Sequence, residues 1–264
     1  MSHLLRDIAP VQDAGWAALE EEARTRLGTL LAARRVVDFS GPKGWTHSAT
    51  DLRSTKEVPH PDPQVQVRQR RVLPLVELRV PFDVARRELE DAERGARNID
   101  LSGLETATMT MALAENRLVF HGLDEAGIVG IETACGNATL KLPATPDGWP
   151  AAVAEAVNVL KLRGIDGPYA LVIGPEGYTR IAEASEQGVV LTTHLRRILD
   201  GPVVWAPGVE GAFVLTIRGG DFELECGQDI SIGYLDHDGQ QVHLYLEESL
   251  SFRVLEPQAA VLLR

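Results

Sequence analysis

Trp16, Leu19, Ala23, Leu27, Leu30 and Leu31 recur at three- and four-residue steps, with Glu20, Glu21, Glu22, Arg24 and Arg26 between them. That period lines the apolar side chains along one stripe and predicts an amphipathic helix. Pro10 is expected to open it, because a first-turn residue needs no N–H. The pattern returns at 102–122, with Leu104, Ala107, Met111, Ala114 and Leu118 on one face and Gly122 as the stop. Met109 and Met111 read there as core filler rather than metal ligands. Shorter helices are predicted at 83–95, ending at Gly95, at 150–163 with Val153, Val157 and Leu160 inward, and at 175–187 and 191–199. From residue 202 the period shifts to two, and strands are predicted at 202–206, 212–218, 222–226, 230–235, 241–255 and 259–264. In 241–255, Val242, Leu244 and Leu246 share one face. Helices early and antiparallel strands late define an α+β chain.

Residues 46–82 break this order. Pro59, Pro61 and Pro63 exclude helix and central strand, while Val65 and Val67 alternate with glutamines. Such an arm is either disordered or a two-stranded ribbon reaching onto a neighbouring subunit. The ribbon fits better, because two strands alone are marginal and a long coreless segment needs a purpose.

Charge and composition narrow the function. Lys and Arg total 26 against 38 Asp and Glu, a net −12 that argues against a nucleic-acid partner. No apolar run reaches the roughly 18 residues of a membrane span, and Met1 to Asp7 lack the apolar core of a signal peptide. Cys135 and Cys226 are too few for a disulfide scaffold and read as buried thiols of a reducing cytosol. A cytoplasmic protein is expected.

No catalytic constellation emerges. The stretch DGPYALVIGPEGYTRI (166–181) is a turn, a strand, a second turn and a helix. A phosphate loop would need Gly-Lys-Ser/Thr, and a nucleophile elbow would need serine between its glycines. Here Pro175 removes a donor and Glu176 repels anions, which leaves a strand-to-helix corner with Pro175 at the first helical position. The seven histidines never take zincin spacing. DHDG (236–239) reads as a hairpin turn, the glycines of RGGDFELECGQD (218–229) serve a tight turn, and Glu88, Glu90 and Asp91 form a solvated face. Catalytic and metal residues are expected to be absent.

Several blocks, taken in order, are similar to the family 1 encapsulin shell proteins, the linocin or culture-filtrate-antigen type. They are LRDIAP (5–10) with Trp16, RRVVDFSGPKGW (34–45), LPLVELRVPF (73–82), ERG (93–95), VFHG (119–122), GPYALVIGP (167–175), GAFVLTIRGGDFEL (211–224), GQDISIGY (227–234) and ESLSFRVLEPQAAVLL (248–263). The resemblance runs from about residue 4 to the C-terminus. It implies the Hong Kong 97 phage-capsid-like fold. The N-terminal helix and start of the peripheral domain would occupy 1–45, the extended loop and return strand 46–82, and the peripheral domain with its long helix 83–132. An axial domain would follow at 133–222 and the peripheral sheet at 223–264.

The resemblance also implies a non-catalytic icosahedral cage of about sixty copies of the chain. It would enclose a dye-decolourising peroxidase or ferritin-like cargo, a link to oxidative stress or iron storage, through the cargo's C-terminal targeting peptide. Ile8, Trp16, Arg34, Asp38, Phe39, Ile230 and Ile232 would lie in or around the cargo groove. Glu186, Gln187, Gly188, Val189 and Val190 would line the five-fold pore. No cofactor is expected, since Arg87 stands where some flavin-associated members carry tryptophan. A tailed-phage capsid protein and a hydrolase or protease are the alternative readings.

Overall fold

Gln12 is extended in the computed structural model, which describes residues 3–182, 184–186 and 189–264, and the first helix, α1, runs Asp13–Leu30. The helix therefore opens three residues after Pro10. Val11 stays out of it and is buried against Gly15, beside Leu89. Burying a valine is worth about 1.5 kcal/mol, more than a fraying half-turn of helix would add.

The chain continues through β1 (Asp38–Ser40), β2 (Ala49–Val58), β3 (Val67–Pro74), β4 (Val76–Ala85), α2 (Arg86–Glu93) and α3 (Ser102–His121). Next come α4 (Ile131–Ala134), α5 (Trp149–Leu162), β5 (Tyr169–Ile173), α6 (Pro175–Ala182), β6 (Ser185–Glu186), β7 (Val189–Val190) and α7 (Leu191–Leu199). The C-terminal part supplies β8 (Val203–Trp205), β9 (Ala212–Thr216), β10 (Phe222–Cys226), β11 (Ser231–His237), β12 (Gln241–Val254) and β13 (Ala260–Leu263).

The long β12 organises the first sheet. One edge pairs antiparallel with β4 over Gln241 to Leu250; the other pairs first with β11 and then with β10, which in turn pairs parallel with β1. Val242, Leu244 and Leu246 are buried against α1 and α3 as the alternation predicts. The middle of β12 is buried on both faces, where Glu247, Glu248, Ser249 and Ser251 lie below the surface. Helices α1 and α3 are joined by Asn116, whose amide donates to Leu30 O and Pro207 O while its Oδ1 accepts from Ala33 N. A second sheet, β13-β9-β5-β8, carries the other core with α5 and α7. Its β5 is buried at every position, and Gly174 ends it where a Cβ would meet Val209 O at 2.2 Å. Pro175 then starts α6, so this corner is structural.

Two further expectations change, and the ribbon reading of the arm holds. The predicted helix at 175–187 stops at Ala182, because Ser185–Glu186 pairs with Val189–Val190 in a small hairpin. Met109 is 38% exposed, whereas Met111 fills the core. The arm is an ordered ribbon rather than a disordered segment: β2 and β3 pair antiparallel from Ala49/Pro74 to Val58/Val67, with a bulge between Asp51 and Thr55. Beyond its root nearly every residue is half-buried or exposed.

Candidate functional site

Helix α1 is amphipathic about a core stripe, and its flank beside β11 is only partly covered. There Ala23, Leu27, Gly28 and Leu31 face Ile230, Ser231, Ile232 and Leu246 across a cleft of about 390 Å³. Leu4, Arg6, Glu20 and Arg24 supply its remaining walls, with Arg34 and Asp229 completing it. Apolar floor and charges of both signs suit an extended peptide better than a small planar ligand. Gly28 leaves the cleft open, since a Cβ there would meet nothing within 4 Å.

Arg34 borders a polar cluster inside the protein. Its Nε donates to Glu115 Oε2 at 2.8 Å, Nη1 to Asp229 Oδ1 at 2.7 Å and Nη2 to Glu248 Oε1 at 2.5 Å. Its guanidinium also covers the Phe39 ring at 4.8 Å. Burial works against the Arg34 charge, but Glu115 and Glu248 outweigh it and hold the guanidinium protonated beyond its usual range. Glu248 is driven well above the ordinary carboxylate range, first by burial and then by Glu115. Cys226, beside them, is pushed up to about 12 by burial and by Glu248. The thiol is therefore inert as a free nucleophile.

The expected groove residues separate into groups. Arg34, Ile230 and Ile232 line the α1 cleft. Phe39 touches it through Arg34, and Trp16 stands one layer back beneath Arg6, 4.2 Å from its ring. Asp38 lies in a smaller cleft with Val36, Thr216 and Phe222, its Oδ2 accepting from Gly220 N. Ile8 is exposed and outside both clefts. Sequence reasoning missed Gly28, Leu27, Leu31 and Leu246, and the three acidic partners of Arg34. An exposed glycine inside an amphipathic helix was the one local signal.

Of the expected pore residues, Glu186, Val189 and Val190 belong to the β6–β7 hairpin, with Val190 52% exposed. Gln187 and Gly188 lie outside the described residues. Arg87 is exposed and pairs with Glu88 at 3.2 Å. His121 is tied at both ring nitrogens, to Glu132 at 2.5 Å and to the Glu210 amide at 3.2 Å. It is a structural link between α3 and the loop after β8. Among the described residues no helix is long and apolar enough to cross a membrane.

This architecture is the Hong Kong 97 capsid fold. It aligns with the virus-like particle of Pyrococcus furiosus at a TM-score of 0.65, over 94% of this chain and 99% of that one, at 18% identity. It aligns with the capsid of an empty GTA particle at 0.55, over 88% and 89%, at 14% identity. Sequence similarity reaches further than fold. Residues 1–251 match the Linocin_M18 family, described as "Encapsulating protein for peroxidase". The type 1 encapsulin shell protein of Rhodospirillum rubrum is 48% identical over 272 aligned residues, covering 100% of this chain and 97% of that protein. The chain belongs to this family of encapsulin shell proteins, and its part is that of a shell-forming nanocompartment subunit.

Proposed function

We propose that about sixty copies of this chain close into an icosahedral cage and that the cleft beside α1 holds the targeting peptide of an enclosed enzyme. The observation that carries the cargo half of this reading is the cleft itself, an open apolar trough with Arg24, Arg34, Glu20 and Asp229 at its margins. Apolar pockets supply affinity for such a peptide, and the charged margin sets its register. The family description makes a peroxidase the first candidate for cargo. The shell acts as container rather than catalyst, needs no flavin, and works in the cytoplasm. The Ser185–Val190 hairpin lines the five-fold channel.

Electron microscopy of the purified chain should show closed hollow particles of uniform size. Cargo docking is tested separately with Gly28→Trp. The substitution meets no neighbour at its Cβ, so shells should form normally, while the indole fills the trough and cargo copurification falls at least severalfold. Equal loading of wild-type and Gly28→Trp shells would place the peptide elsewhere.

A further inference from the structure

One guanidinium faces three carboxylates in the Arg34 cluster, and two of these, Glu115 and Glu248, have fully buried side chains. We propose that Cys226, Asp229 and Glu248 form a binding site for a zinc-class divalent cation, which would clamp the turn between β10 and β11 to β12. The Cys226 thiol and one oxygen from each carboxylate lie within 4.8 Å of one another. Ligands of tetrahedral zinc sit about 3.5 Å apart, so the widest pair of the three groups needs to close by up to about 1.3 Å. Each carboxylate already commits one oxygen. Asp229 Oδ1 accepts from Arg34 Nη1 and the Ile230 amide, and Glu248 Oε1 accepts from Arg34 Nη2. On Glu248 the second oxygen, Oε2, is fully buried beside the Glu115 carboxyl, a crowded acidic pair that a cation would relieve.

The donor set points to the metal class. One thiolate with two carboxylates favours zinc or a similar borderline ion over magnesium or calcium, which take oxygen alone. Three protein ligands leave a fourth position for water. Arg34 stays in place as the partner that orients both carboxylates. Entry is available through the α1 cleft, which Asp229 lines with its half-exposed side chain.

Cobalt(II) is the probe. Titrated into assembled wild-type protein, it should give a thiolate-to-cobalt charge-transfer band in the near ultraviolet, saturating at one ion per subunit and abolished by added zinc. Cys135→Ser should keep the band and Cys226→Ser should lose it. Asp229→Asn, at a side chain exposed enough to spare folding, should weaken cobalt affinity on the order of tenfold or more. Absence of the band in wild type, or its survival in Cys226→Ser, overturns the proposal. If Cys226→Ser fails to fold, undiminished affinity in Asp229→Asn overturns it equally.

Discussion

Arg34 is the residue on which the interior and the cleft both depend. Removing one partner from a buried ion network leaves uncompensated charge, at a cost of about 3–5 kcal/mol. Arg34→Met should therefore lower the unfolding free energy of the subunit, read from urea titration, by that order, because Glu115 and Glu248 would face each other without a cation. Adding Glu248→Gln should restore part of the loss. If Arg34 served ligand contact alone, Arg34→Met would unfold like wild type. A second residue carries a pH signature. His243 bonds Asp83 at 2.5 Å, with Asp236 at 3.8 Å and Asp238 close by in the hairpin turn, and the hydrogen bond to Asp83 raises its pKa above 6.5. The protonated ring is the favoured folded form. Its stabilisation is complete below pH 6.5 and disappears as pH rises through the raised folded value. The difference in melting temperature between wild type and His243→Gln should be widest in mild acid and shrink toward alkaline pH. A gap independent of pH would show that the contact is not ionic.

Elements were largely legible from periodicity, and the places where reading failed share a cause. The face of β12 and the stripes of α1, α3 and α5 follow from local spacing, because burial on one side imposes a period of two or 3.6. The start of α1 was misplaced because burial of Val11 is decided by Leu89, far along the chain. The end of α6 was misplaced because a hairpin two residues deep leaves no periodic trace. The Arg34 cluster was invisible for the same reason: its partners lie 81, 195 and 214 residues away. The arm was legible as an anomaly, and the structure shows how it is anchored. Thr50 is buried at its root with its hydroxyl 2.5 Å from that of Ser251, and Arg253 donates to Asp51 O. Beyond this point the ribbon has no core of its own. Deleting residues 52–66 should leave folded subunits with near-normal melting behaviour and an impaired capacity to assemble, read by size-exclusion chromatography. Full-sized shells from the deletion would mean that the ribbon makes no contact that assembly requires.

At the scale of the whole molecule, the proposal that the β6–β7 hairpin lines a channel of the closed shell has an electrostatic consequence. If the Ser185–Val190 hairpin rings the five-fold axis, each subunit contributes one Glu186 carboxylate to a channel, and like charges in a ring raise the local potential far more than one isolated carboxylate does. The net charge of −12 per chain adds a broader field of the same sign, which draws cations toward the surface and repels anions. That background field is screened over about 8–10 Å at physiological salt, whereas a ring at a constriction acts at contact distance. The two contributions are separable. Glu186→Lys changes the overall charge only modestly but reverses the ring, so entry of a cationic substrate to an enclosed enzyme should slow severalfold, and the slowing should be greatest at low ionic strength. Glu186→Gln should fall between the two. The measurement is turnover by encapsulated cargo divided by turnover of the same enzyme released from the shell, which cancels any effect on the enzyme itself. An unchanged ratio at low ionic strength would place the cation route at another opening in the shell.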